Sequence, residues 1–322
     1  MLVDVHGRKI TYLRVSVTDR CNLRCRYCIP EQGVQLKEHR DLMTFEEIEA
    51  VVRAAVELGV RRVRLTGGEP LLRRDLDTLV AKLAAIPNLA DLALTTNGVL
   101  FGPAAAKLKR AGLKRVNISL DTLKPERFKA MSGSGDWQKV VDAVEAALRE
   151  GYHPVKLNVV VVGGHNDDEV EDFVRFAKDR PLELRFIEFM PFGNSFWDHT
   201  KSVKSEEVKK RAGRAAKLVP LKNDQTAETY SINGSQATVG FISPLSQPFC
   251  NRCNRLRLTA DGFLRPCLAD QAEVDIKTPV RHGMAGTALR RLFYEALRLK
   301  AVGHHFNQGQ RDTGRLMAEL GG

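Results

Sequence analysis

Six short runs rich in β-branched and other apolar residues recur between residues 11 and 189, with helical stretches between them. They are TYLRVSV (11 to 17), RRVRLT (61 to 66), LALTT (92 to 96), RVNISL (115 to 120), VKLNVVVV (155 to 162) and LELRFIEF (182 to 189). Between them lie amphipathic patterns. TFEEIEAVVRAAVELG (44 to 59) opens with Thr44 and Glu47 at capping-box spacing and closes at Gly59. In GDWQKVVDAVEAALREG (135 to 151), Val140, Val144, Ala147 and Leu148 share one helical face. Alternation of this kind predicts a parallel sheet covered by helices, either an α/β barrel or a doubly wound sheet.

Polar and glycine-rich residues follow the strands directly: Thr66-Gly67-Gly68-Glu69-Pro70, Thr95-Thr96-Asn97-Gly98, Ser119-Leu120-Asp121 and Met190-Pro191-Phe192-Gly193. In a barrel these strand ends open onto one face, where chemistry is expected. Around residues 200 to 240 the pattern changes to a lysine-rich helical stretch and then to turns at Asn223-Asp224 and Asn233-Gly234. The expected boundary therefore separates residues 1–220 from 221–322.

The 322 residues suffice for one large core plus a smaller unit. The first ten residues carry Asp4, Arg8 and Lys9 and no apolar run of signal-peptide or membrane-span length, so a cytoplasmic protein without a membrane partner is expected. All 6 cysteines fall into two close sets of three, and a chain this long in a reducing compartment uses such sets for metal rather than disulfides. A net charge of +11 suggests an anionic partner, nucleic acid or a small polyphosphate, or else a solvated basic surface.

The first set, Cys21, Cys25 and Cys28, follows the first strand directly. Three thiolates hold three irons of a four-iron cube and leave the fourth open for a cofactor or substrate. A structural zinc site or an electron-transfer cluster usually has four ligands, and no fourth is evident. The second set is Cys250, Cys253 and, after a turn at Asp261-Gly262, Cys267. A CxxC pair plus a later cysteine is also half a zinc ribbon. Between them, Arg255 and Arg257 alternate on one side of a strand, which suits multidentate binding of phosphate oxygens or, equally, an exposed strand face.

The CxxxCxxC spacing with Tyr27 before its last cysteine, followed by Gly-Gly-Glu-Pro, resembles the radical S-adenosylmethionine (SAM) enzymes. With the downstream CxxC(x13)C, Asn-Arg-Leu-Arg, Leu13-Arg14-Val15-Ser16, Arg185-Phe186-Ile187-Glu188 and the terminal Gly321-Gly322, the whole chain resembles the GTP 3',8-cyclase family. That resemblance implies an incomplete (βα)6 TIM-type barrel with a smaller C-terminal α+β domain. It implies two 4Fe-4S clusters, the first binding SAM and yielding a 5'-deoxyadenosyl radical that removes the GTP ribose C3' hydrogen before C3' attacks guanine C8. Tyr27, Gly68, Ser119 and Met190 would contact SAM, Gly68 because a side chain would block the approach of the SAM amino group. Arg14, Arg64, Thr95, Lys156, Arg255, Leu256 and Arg257 would bind GTP, with Arg257 also catalytic. The Gly-Gly tail would reach the active site. The resemblance further implies a homodimer, a reducing electron donor and transfer of the product to cyclic pyranopterin monophosphate synthase, with no nucleic-acid partner. Rival readings are a radical SAM peptide-modifying enzyme, a zinc-bearing nucleic-acid-binding module and a simple electron carrier.

Overall fold

The computed structural model describes residues 1–30, 32–192, 196–221, 226–306 and 314–321. Gly193, the expected turn at Asn223-Asp224 and the terminal Gly322 lie outside the described residues.

Each of the six apolar runs forms a strand: β1 (Tyr12–Ser16), β2 (Arg62–Thr66), β3 (Asp91–Thr96), β4 (Arg115–Ser119), β5 (Val155–Val161) and β6 (Leu182–Glu188). Successive strands are parallel neighbours. The crossovers contain α1 (Phe45–Glu57), α2 (Leu76–Ala84), α3 (Phe101–Arg110), α4 (Pro125–Ser132), α5 (Trp137–Arg149) and α6 (Val170–Lys178).

The start of α1 follows from its sequence. Thr44 Oγ1 accepts from Glu47 N at 3.2 Å, and the Glu47 carboxylate accepts from Thr44 N at 2.8 Å, so two orphan amides of the first turn are satisfied reciprocally. Its apolar stripe of Ile48, Val51, Val52 and Ala55 is fully buried. Each of the larger side chains contributes about 1.5–3 kcal/mol by leaving water. The second helical pattern starts two residues inside its expected range, because Asp136 caps α5 by accepting from Gln138 N at 3.0 Å.

Beyond β6 lie α7 (Ser205–Ala215), β7 (Leu218–Pro220), β8 (Glu228–Ile232), β9 (Thr238–Ile242), β10 (Arg255–Leu258), β11 (Phe263–Arg265) and β12 (Val274–Asp275). The chain continues into α8 (Lys277–Arg281), α9 (Gly286–Arg298) and α10 (Met317–Leu320).

These later strands do not form a sheet of their own. All twelve strands share one sheet in the order β12-β11-β10-β1-β2-β3-β4-β5-β6-β9-β8-β7. β10 joins β1 in parallel and β9 joins β6 in parallel, which extends the six expected parallel strands to eight. The antiparallel strands cap the two edges, where unpaired backbone groups would otherwise be exposed. The expected boundary at 220/221 falls between β7 and β8, inside one antiparallel meander, so hydrogen bonding crosses it without a break.

Candidate active site

The first cysteine set is held mainly by backbone. After β1 the chain runs against the Gly-Gly-Glu turn at the end of β2: Gly68 N donates to Thr18 O at 2.8 Å and Glu69 N to Arg20 O at 2.7 Å. A Cβ on Gly68 would lie 2.3 Å from the Arg20 carbonyl oxygen. The structure therefore supplies another reason for glycine here: two backbones meet, and a side chain would force the cysteine loop off the sheet. On the other side, Arg24 N and Arg26 N donate to Ser132 O and Met131 O at the end of α4. Cys28 N closes a turn onto Cys25 O at 2.9 Å.

Acids surround this set. Glu69 is fully buried and accepts from Leu71 N, Thr96 Oγ1 and Asn97 N; burial pushes its carboxyl up to about 7 against those bonds. Asp121 accepts from Tyr27 Oη at 2.5 Å and from Val160 N at 2.8 Å, and burial raises it to about 6. Burial, then Cys21 and Asp121, push the Cys28 thiol up to about 12. Cys25 is raised by burial and then by Cys28, Asp121 and Cys21.

The second set flanks the β10–β11 hairpin, Cys250 and Cys253 just before β10 and Cys267 just after β11, and its surroundings are cationic. Burial acts upward on Cys253, but Arg255 and Lys300 outweigh it and bring the thiol down to about 7. Strand register extends this cationic character across the sheet. Arg257, Arg14 and Arg64 stand abreast on β10, β1 and β2, and Arg255, Tyr12 and Arg62 form the next row. Further round, Lys156 and Arg185 share one carboxylate, Glu183, at 2.6 and 2.5 Å. Burial and then Arg185 lower Lys156 to about 8. Burial and the Arg255 charge lower Arg257 to about 9, which leaves it protonated at neutral pH.

All six cysteines line a single cavity of about 460 Å³, together with nine arginines and lysines and two carboxylates. A barrel interior is ordinarily filled with layers of Val, Ile and Leu. Here the inward positions carry Tyr12, Arg64, Thr95, Asn117 and Asn158, each with a buried polar atom that has no hydrogen-bond partner among the described residues. Each such atom left dry costs about 1–3 kcal/mol, so the cavity is built for a polar, anionic occupant.

The thiols fit clusters better than single ions. No three His, Cys, Asp or Glu side chains among the described residues are placed to hold one metal ion. A four-iron cube asks each of three thiolates to bind its own iron. All six thiols are free of disulfides.

Of the expected site residues, Cys21, Cys25, Cys28, Tyr27, Gly68, Ser119 and Met190 line the cavity, as do Arg14, Arg64, Thr95, Lys156, Arg255, Arg257, Cys250, Cys253 and Cys267. Leu256 does not. Its side chain lies fully buried in the hydrophobic core on the opposite face of β10, so that position can reach the cavity only through its backbone. Sequence reasoning passed over Tyr12, Arg62, Arg115, Asn117 and Asn158, and used Arg185 only as a mark of resemblance. The signal was present, since each is a polar residue at alternate positions of an otherwise apolar strand.

The tail also arrives here. Arg315 pairs with Asp261 at 2.9 Å and Glu273 at 2.5 Å, and α10 then carries Gly321 inward until its carbonyl accepts from Arg257 Nη1 at 2.9 Å. Gly321 has φ +70°, and a Cβ there would lie 2.6 Å from Thr66 Cγ2.

The Radical SAM superfamily pattern matches residues 15–177, and the Molybdenum Cofactor Synthesis C pattern matches residues 182–306. A GTP 3',8-cyclase of Moorella thermoacetica is 50% identical over 322 residues, covering 99% of each chain. Another from Syntrophomonas wolfei is 47% identical over 326 residues, covering 100% of both. The chain belongs to the GTP 3',8-cyclase family. Membership makes it a radical SAM enzyme, with SAM and an iron-sulfur cluster as its cofactors. Within this family frame, the two matched regions meet at the start of β6, and both contribute cysteines and cations to the same cavity. Among solved structures, Streptococcus suis SuiB bound to S-adenosylmethionine shares the fold, with a TM-score of 0.65 at 14% identity over 90% of this chain and 68% of that one.

Proposed function

We propose that this chain cyclises GTP to (8S)-3',8-cyclo-7,8-dihydroguanosine 5'-triphosphate by radical SAM chemistry, an early step of molybdenum cofactor biosynthesis. Cys21, Cys25 and Cys28 would hold one 4Fe-4S cluster, and Cys250, Cys253 and Cys267 a second. The observation that carries this reading is the cavity itself, with two sets of three thiols on one lumen whose walls include arginines, a lysine and buried polar atoms without a hydrogen-bond partner among the described residues.

When bound and reduced, the first cluster with SAM supplies the radical that removes the ribose C3' hydrogen. The protein's own part is placement. Tyr27, Gly68, Ser119 and Met190, which line the same cavity, orient SAM. Arg14, Arg64, Thr95, Lys156, Arg255 and Arg257, with the Leu256 backbone, hold GTP. Three guanidiniums abreast on β10, β1 and β2, with Arg255 and Arg62 in the next row, grip a triphosphate at several oxygens at once. Fixing the phosphates there would leave the purine to be held at the Cys250, Cys253 and Cys267 site, whose cluster would supply an open iron as its ligand. Ring closure depends above all on the proximity of C3' and C8 that such placement would give. Arg257 has a second duty, because its contact with the Gly321 carbonyl couples the substrate site to the tail.

In this reading residues 1–220 carry the first site and residues 221–322 the second. The enzyme works in the cytoplasm as a homodimer, takes electrons from a reducing donor and passes its product to cyclic pyranopterin monophosphate synthase. No helix among the described residues is long and apolar enough to cross a membrane.

The test is anaerobic reconstitution with iron and sulfide, incubation with GTP, SAM and dithionite, and mass analysis. 5'-Deoxyadenosine together with a GTP isomer of unchanged mass supports the cyclase. Deoxyadenosine with GTP intact points to another substrate, and bound zinc without SAM cleavage overturns the reading.

A further inference from the structure

Two buried cations stand behind the second thiol set without lining the cavity in front of it. Lys300, 3% exposed, follows α9 and spends all three of its donors on the segments that carry the cysteines. Its Nζ donates to Cys253 Sγ at 3.7 Å, to Arg255 O at 3.0 Å, two residues after Cys253, and to Pro266 O, the residue before Cys267. Arg8 completes the arrangement from the other end of the chain. Its guanidinium donates to Cys250 O at 2.8 Å, to Ala301 O at 2.7 Å and to Val302 O at 2.9 Å, and is itself held by Asp4 at 2.5 Å. His6 adds a contact to the Lys300 carbonyl at 3.1 Å. Between them the two cations touch the backbone or sulfur at or beside all three thiols.

Their electrostatic situations differ. Arg8 has its own carboxylate, whereas no carboxylate pairs with Lys300 among the described residues, and the anionic groups it faces are Cys253 and Cys267. A buried ammonium is costly unless an anion answers it. Thiolates answer it when they carry a cluster.

We propose that Lys300, braced by Arg8, is a positioning residue of the second cysteine site, which fixes the three thiol-bearing segments and sets the redox poise of the cluster they hold. This rests on the second-cluster reading above. The ammonium beside Cys253 favours the more negative, reduced cluster and so raises its potential. The contacts to Arg255 and Pro266 hold the ligands in place, as partners behind metal ligands generally do.

The test uses the full chain carrying Cys21→Ala, Cys25→Ala and Cys28→Ala, in which only the second site can load, reconstituted anaerobically with iron and sulfide. Lys300→Met in that background is expected to move the cluster midpoint potential, read by redox titration with paramagnetic resonance, to more negative values. It should also speed loss of iron to a ferrous chelator about tenfold or more. Lys300→Gln, which keeps amide donors but no charge, should retain iron better while its potential stays low, and it carries the test if the methionine variant does not fold. Unchanged potential and unchanged iron release in both variants overturn the proposal and leave the second-cluster reading standing. A parent chain that takes up no iron, or only zinc, overturns that reading and the proposal with it.

Discussion

Cys28 and Cys253 are both members of cysteine triplets on one cavity, yet their thiols are displaced in opposite directions, to about 12 and to about 7. The first triplet is wrapped by backbone against a glycine turn and surrounded by Asp121, Glu69 and its own thiols. The second is braced by Arg8 and Lys300 and flanked by Arg255 and Arg257. Equal ligand counts therefore do not make equal sites. On the proposed reading the contrast follows the partners: an acidic surround suits the sulfonium cation of SAM, and a cationic one suits a polyphosphate.

The sharpest way to break this comparison is to remove thiols one set at a time. Alanine at Cys21, Cys25 or Cys28 should abolish 5'-deoxyadenosine formation. Cys250→Ala should keep SAM cleavage and lose cyclisation, so equal effects on both products would erase the distinction.

Alkylation of the metal-free, reduced full chain reads the electrostatic difference directly. At about pH 8 Cys253 is mostly thiolate and Cys28 about one part in ten thousand, while the greater intrinsic nucleophilicity of the latter returns roughly two decades, leaving Cys253 about 100-fold faster. The depressed thiol loses its thiolate as pH falls through about 7, so its labelling should halve there; that of Cys28 should still be climbing above about pH 10. Peptide mass mapping of the labelled chain decides, and comparable rates at both cysteines would contradict the assigned surroundings.

Arg257→Ala should weaken GTP binding by about 1.5–3 kcal/mol, roughly ten- to a hundredfold, if its guanidinium makes a charged hydrogen bond to phosphate. SAM binding should be unchanged, both measured by calorimetry. The smallest effect belongs to the tail. Gly321→Ala sets a side chain at positive φ, against Thr66, at about 1 kcal/mol from backbone strain alone. Cyclisation should fall about fivefold while uncoupled SAM cleavage holds.

Local patterns were the legible part of this chain. Each of the six strands lies where its apolar run stands, and the capping box at Thr44 starts α1 as its residues require. The edges of the sheet were not legible, because β9 and β10 are short strands whose parallel partners lie far away in sequence, and no local pattern encodes a distant partner. Leu256 shows the converse. Strand alternation alone assigns its side chain to the core, where it lies, whereas its place beside the arginines in the expected GTP site came from the family resemblance.

What the residues determined by themselves were the two thiol triplets, the strand period and the supply of cations, since ligand chemistry and periodicity are properties of neighbours in the chain. Only the folded structure decided that Arg257, Arg14 and Arg64 stand abreast, that Gly68 is required by backbone contact, and that Arg8 and Lys300 meet behind one thiol set. Charge acts through space, and so the opposite character of the two cysteine sites emerged only when strands and termini distant in sequence were brought within a few ångströms of one another.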